Sequence, residues 1–242
     1  GSRFTHWARR RGALRMKILA LEFSSAQRSV AVLAEGAGAG AAVLGEASET
    51  GTRATRAFGL IEEALRQARL EREQIECLAV GLGPGSYVGI RLAISLAQGW
   101  QLARPVQLLG ASSAEGLAAQ AQADGLRGRI GVVIDAQRGE FYLADYELTA
   151  TARREVGPLR LVPGAEVLAR QQAGVTLLGP EVALWFPGSR MLFPRAAAIG
   201  QLAQGRRDFI AGEKLEPIYL REARFVKAPP PRVGIPRREG PP

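Results

Sequence analysis

The chain of 242 residues is poor in the side chains that most often carry chemistry: it has one histidine, one cysteine and three lysines. The histidine is His6, so the body from residue 16 onward holds no imidazole. That excludes a His-based metal site there, and it leaves any serine without the usual general base. Ser86, in the run Gly85-Ser86, therefore makes a poor nucleophile, and Lys17, Lys214 and Lys227 offer little for a Ser–Lys dyad. Peptidase chemistry is not expected. Cys77 stands alone inside an expected strand, which rules out an internal disulfide and fits a reducing compartment. No apolar run approaches the ~18 residues of a membrane span. The opening stretch is basic and lacks a signal peptide's apolar segment, so a cytoplasmic location is expected.

Acidic residues are also scarce, 23 against 32 basic ones, for a net charge of +9. The excess is local. Residues 1–15 carry five arginines and no acid, and residues 228–242 add Arg232, Arg237 and Arg238 against Glu239. The body is left nearly balanced, as expected of an ordinary soluble protein with 47% hydrophobic residues. Residues 1–15 read as a basic tail, with Gly1-Ser2 as a cleavage scar and Met16 as a natural start. Residues 228–242, opening on Ala228-Pro229-Pro230-Pro231, read as a second disordered tail. Basic tails could serve a nucleic-acid adaptor.

Between the tails the order of elements repeats. Strands are expected at Lys17–Leu21, Ser29–Ala34 and Ala42–Glu46, followed by a helix from an N-cap at Thr52 to Arg69. Phe58, Ile61, Leu65 and Ala68 share one face of that helix, and Glu62 and Arg66 form an i,i+4 pair. A strand at Ile75–Val80, a helix at Val88–Ala103 and a strand at Val106–Leu109 complete the first unit. The second unit runs through strands at Arg129–Ile134, Glu140–Tyr146 and Arg153–Val162, a helix at Pro163–Gln171 and a strand at Val175–Leu178. A helix at Arg195–Gln204 closes it. Each first strand ends at an acid, Glu22 or Asp135, and each fourth strand ends in Gly-Pro. The expected fold is α/β and actin-like: two ribonuclease H-like lobes, each β-β-β-α-β-α-β, over residues 16–112 and 113–227.

The chain is organised around Gly81-Leu82-Gly83-Pro84-Gly85-Ser86-Tyr87-Val88-Gly89-Ile90-Arg91 and the helix that follows. Glycines at a strand-to-helix turn can aim backbone N–H groups at a phosphate. The spacing matches neither G-x-G-x-x-G nor a P-loop. In the helix, Gly89, Ala93 and Ala97 recur every four residues, flanked by Ile90, Ile94 and Gln101, with Trp100 close by. Such a stripe admits another helix near the lower end of the ~8–10 Å range, or packs on the chain's own sheet. Leu92 and Leu96, on another face, could serve the core instead.

These runs resemble the TsaB (YeaZ-like) family over about residues 16–225. The resemblance rests on Lys17–Glu22, Gly83–Arg91, Ala97-Gln98-Gly99, Gly110–Glu115, Asp135–Tyr142 and Pro217-Ile218-Tyr219-Leu220-Arg221. The sequence departs from the family where Glu22-Phe23-Ser24 replaces Asp-Thr-Ser, where Tyr87-Val88 replaces Phe-Thr, and in lacking an early His-Ser pair in the first helix. The resemblance implies an actin-like (ASKHA) scaffold with no catalytic residues. Such a scaffold pairs with the related catalytic subunit TsaD, works with the ATPase TsaE, and reaches tRNA through their complex. TsaD transfers threonylcarbamoyl to the adenosine beside the anticodon in tRNAs that read A-starting codons. Its metal-binding pattern Asn-His-x-Glu-Gly-His corresponds here to Ser112-Ser113-Ala114-Glu115-Gly116-Leu117, with Ser113 and Leu117 in the histidine places.

The chain alone is therefore expected to bind no cofactor or metal; ATP or ADP and the metal belong to the assembled complex through its partners. The implied partner surface comprises Gly89, Ile90, Ala93, Ile94, Ala97, Trp100 and Gln101 with Phe58 and Ile61. The same surface would support a homodimer. Glu22, Ser24, Ser25, Gly83, Gly85 and Asp135 are the expected vestige of a nucleotide site. The alternatives are a small-substrate kinase of the actin-like class and a tRNA adaptor that uses the basic tails.

Overall fold

The computed structural model describes residues 16–36, 41–51 and 55–220. Both expected tails, and the expected cap Thr52, lie outside the described residues. The first strands follow directly from composition. β1 (Lys17–Glu22) and β4 (Cys77–Gly81) are almost wholly buried, as near-continuous apolar runs require when both faces of a sheet are covered. With β2 (Gln27–Ala34), β3 (Ala42–Thr50) and β5 (Gln107–Ala111) they form a sheet in the order β3-β2-β1-β4-β5. β1 pairs antiparallel with β2 and parallel with β4.

The second sheet contains β6 (Gly128–Asp135), β7 (Glu140–Leu148), β8 (Arg153–Pro163), β9 (Thr176–Gly179) and β10 (Arg190–Met191), in the order β10-β9-β6-β7-β8. Its central strand β6 again pairs antiparallel with the next strand and parallel with the fourth of its unit. Two sheets with one connectivity make the fold the duplicated, actin-like α/β arrangement that the order of elements implied.

The helices divide the molecule into layers. α1 (Ala57–Ala68) and α2 (Tyr87–Ala103) cover one face of the first sheet, where Leu60, Ile61, Ile90 and Ile94 meet Leu19, Leu21, Val30 and Leu78. α3 (Ser113–Ala123) packs on the second sheet, setting Leu117 and Ala118 against Ile130, Val132 and Ala144. α4 (Gly164–Gln172) and α5 (Val182–Trp185) back its other face around Phe141 and Phe186.

The last helix, α6 (Ala196–Ala203), does not close the second unit as expected. It lies on the first sheet, with Ala196, Ala197, Ile199 and Ala203 packed on Ile18, Ala20, Ala31 and Leu109. The physical reason is a matched pair of small-residue surfaces, fixed at one end by Ser29 of β2. The Ser29 hydroxyl accepts from the Ala196 N–H at 2.8 Å. Beyond α6 the chain stays with the first sheet: the Ile210 N–H donates to the Leu108 carbonyl, and the Ile218 N–H to the Leu82 carbonyl. Of the residues expected in the second lobe, α3 covers the second sheet, whereas α6 lies on the first, and the two helices touch one another.

Two smaller expectations are corrected. α1 begins at Ala57, five residues after Thr52, because the Glu49 carboxylate takes the Arg56 N–H at 3.1 Å and anchors the start. Arg66 pairs with Glu63 rather than Glu62, which turns to Arg72. The elements α3, α5 and β10 were not anticipated. A Ser112-x-x-Glu115 spacing marks the start of α3, and the Ser112 hydroxyl indeed accepts from the Glu115 N–H.

Candidate functional site

The central turn leaves β4 at Gly81 and enters α2 at Tyr87, and several of its backbone donors are bound within the chain. The Gly83 N–H donates to Ser113 Oγ at 3.1 Å, and the Ser86 N–H to the Ser24 carbonyl at 2.7 Å. The Ser24 N–H donates to Glu22 Oε1 at 2.8 Å. Ser86 caps α2 by accepting from the Gly89 N–H, which is its structural role. A phosphate cradle works through N–H groups left pointing at the ligand. Here the Gly83 and Ser86 N–H groups could reach a phosphate only by giving up internal hydrogen bonds.

Beside the turn a cleft of about 520 Å³ opens between the two sheets' first hairpins. Ser24, Ser25, Gly85 and Asp135, from the expected nucleotide vestige, all line it, together with Arg28, Tyr87, Tyr142 and Glu181. The other two members do not. Gly83 is buried in the turn, and Glu22 is fully buried. The Asp135 carboxylate accepts from the Gln137 N–H at 2.7 Å, tightening the β6–β7 turn. Asp135 and Glu181 make the lining acidic, and Arg28 faces Glu49 at 3.7 Å. The cleft thus gathers four of the six expected residues without a surplus of positive charge to attract phosphates.

The two places that correspond to metal-binding histidines are committed elsewhere. Ser113 is fully buried, and its hydroxyl donates to Glu22 Oε2 at 2.7 Å. Leu117 is fully buried in the core under the second sheet. Cys77 is also sealed in, and burial, reinforced by the charge of Glu35, pushes its thiol up to about 12, leaving it unreactive.

The helix stripe faces inward, which corrects the expected partner surface. Gly89, Ile90, Ala93 and Ala97 are fully buried, and Ile94 and Ile61 nearly so. The reason is close approach: a Cβ on Gly89 would stand 2.0 Å from the Phe23 carbonyl oxygen. The small residues let α2 lie on its own sheet. Gln101 is also structural, accepting from the Gly212 N–H at 2.9 Å and donating to the Val106 carbonyl. Trp100 is half-buried against the same core. Of the nine expected surface residues, Phe58 is the one that stands well exposed, at 67%.

The outward face of α2 carries Tyr87, Val88, Arg91, Ser95 and Leu102. Val88 is 76% exposed and Leu102 91%. Tyr219 stacks on Tyr87 at 5.3 Å, and the Arg91 guanidinium lies 5.0 Å from the Tyr87 ring centre. The sequence did hold a signal for this face. Once Ile90 and Ile94 are assigned to the core, positions 88, 91, 95 and 102 fall on the opposite side of the helix.

Comparisons with known proteins agree with this geometry. The family model described as TsaD, tRNA N6-adenosine threonylcarbamoyltransferase, matches residues 53–195, more than half of the chain. The protein from Escherichia coli (strain K12) described as tRNA threonylcarbamoyladenosine biosynthesis protein TsaB is 29% identical over 185 residues. That match covers 69% of this chain and 79% of the relative. TsaB of Bacillus subtilis (strain 168) is 29% identical over 195 residues, covering 72% and 83%. The solved structure of YeaZ from Pseudomonas aeruginosa superposes with a TM-score of 0.70 at 27% identity, covering 85% of this chain and all of that one. Model, relatives and structure converge: the chain belongs to the TsaD-related family, as one of its TsaB (YeaZ-like) members.

Proposed function

We propose that the chain is a non-catalytic subunit in the formation of threonylcarbamoyladenosine in tRNA, docking a TsaD-type catalytic subunit through the outward face of α2 and the exposed part of α1. The observation that carries the proposal is the contrast between two surfaces. At the inherited active-site positions, Ser113, Leu117 and Glu22 are absorbed into the interior. On α2, by contrast, Val88 and Leu102 present bare apolar side chains to solvent, with Phe58 on α1. Large exposed apolar residues rimmed by polar ones mark association sites. A stable pairing on this face would bury on the order of 1,600 Å² in total. The same face would support self-association when the partner is missing.

In this reading ATP, metal and tRNA are handled by the assembled complex, with a TsaE-type ATPase as the further component. The test is a reconstituted tRNA modification assay with TsaD-type and TsaE-type partners, run with and without this chain. Modification is expected only when the chain is present, and the chain by itself is expected to hydrolyse no ATP.

The cleft supports a second reading, a small-substrate kinase of the actin-like class, because Ser24, Ser25, Gly85 and Asp135 do converge there. Against it stand the internally bonded N–H groups of Gly83 and Ser86 and the acidic lining. Saturable ATP binding by the isolated chain in calorimetry would favour the kinase.

A further inference from the structure

Glu22 ends the central strand β1 and is fully buried, and the described groups that hydrogen-bond it, from Ser24 and Ser113, are uncharged. From its own strand end the Ser24 N–H donates to Oε1 at 2.8 Å, and from α3 the Ser113 hydroxyl donates to Oε2 at 2.7 Å. Across the sheet, Ser29 of β2 is its register partner. On β4, Gly81 supplies the space: a Cβ there would stand 2.1 Å from Glu22 Oε2. Ser113 also takes the Gly83 N–H, and its own N–H donates to the Gly83 carbonyl at 2.8 Å. One carboxyl thereby ties β1, the central turn and α3 together. No arginine, lysine or second carboxylate is among the groups that set its ionisation. Desolvation raises its pKa, and the bonds from Ser24 and Ser113 offset only part of that.

We infer that Glu22 is a neutral carboxylic acid in the folded protein and acts as a pH-sensitive latch, whose ionisation loosens the central turn from β1 and α3. Both protonation states can bond Ser113: neutral Glu22 donates to its hydroxyl, and ionised Glu22 accepts from it. The difference lies in solvation. A buried carboxylate with no counter-charge is strongly disfavoured. Ionisation therefore releases the proton to solvent and draws water toward the carboxylate from the cleft, past Ser24 and Gly85. The turn that yields is the one that seats the N-terminus of α2.

The sign follows from linkage. With the folded-state pKa raised, the native protein holds a proton that the unfolded chain has lost. Stability from this group is full below the ordinary glutamate pKa and falls as pH rises through the folded value.

The test follows the carboxyl carbon of Glu22 by NMR in the full chain, alongside unfolding midpoints from about pH 5 to pH 9 for wild type and Glu22→Gln. The expected carboxyl titration lies above the usual glutamate range. The expected midpoint of Glu22→Gln equals or exceeds wild type at neutral pH and lacks the wild-type decline on raising the pH. Exchange protection of the Gly83 and Ser24 amides, corrected for base catalysis, is expected to fall about tenfold across the window in wild type only. A carboxyl that titrates at or below the usual range overturns the inference, and so does an unchanged pH profile in Glu22→Gln. If that variant does not fold, the wild-type carboxyl titration decides alone.

Discussion

At Gly89 the absence of one methyl group fixes where a whole helix lies. Its missing Cβ is replaced by contact with the Phe23 carbonyl, so α2 rests directly on the end of β1. Gly89→Ala forces a methyl group against the Phe23 backbone carbonyl, and a loss of about 2–3 kcal/mol in denaturant unfolding is expected. A loss below about 0.5 kcal/mol would mean that the contact is easily relieved. Ser29 makes a milder case. Its hydroxyl is fully buried and satisfies the first free N–H of α6, so Ser29→Ala is expected to cost about 1 kcal/mol. Neither role was legible in the sequence, because a glycine and a serine acquire these functions only from what the fold brings against them. The same holds for Glu22. Its place at the end of a strand was readable, whereas its burial depends on Gly81 and on Ser113, which lies 91 residues away in the chain.

At the scale of elements, legibility followed length and continuity. β1, β4 and β6 announced themselves as apolar runs, since strands covered on both faces need nothing else. α5 and β10, of four and two residues, are too short to hold a period. α2 was found, and its faces were misassigned, for a physical reason: a Gly/Ala stripe fits a partner helix and the chain's own sheet equally well. The burial of Ala93 and Ala97 now separates the two faces by experiment. Ala93→Arg places a charge in the core beneath α2 and is expected to abolish cooperative folding, by a loss of more than about 4 kcal/mol. Val88→Arg, on the exposed side, is expected to leave the unfolding midpoint within about 0.5 kcal/mol of wild type.

For the molecule as a whole, duplication explains the shared sheet order, but it does not make two independent lobes. α6 comes from the second half of the chain and completes the first sheet, while α3 follows the first half and covers the second. The exchange was hidden from the sequence because a small-residue helix such as Ala196-Ala197-Ala198-Ile199-Gly200 suits either sheet. It has a mechanical consequence. The central turn, α3 and α6 form one connected middle layer, and Phe58 of α1 and Val88 and Leu102 of α2 stay exposed on the outer side. The proposed docking puts a TsaD-type partner on this outer face and not on the buried stripe. The most direct measurement is the dissociation constant for a TsaD-type subunit, by calorimetry, of wild type and of a folded Val88→Arg, Leu102→Arg double variant. At least about a 30-fold loss of affinity is expected, equivalent to about 2 kcal/mol, with unfolding midpoints unchanged. Wild-type affinity in that folded variant would rule this docking face out.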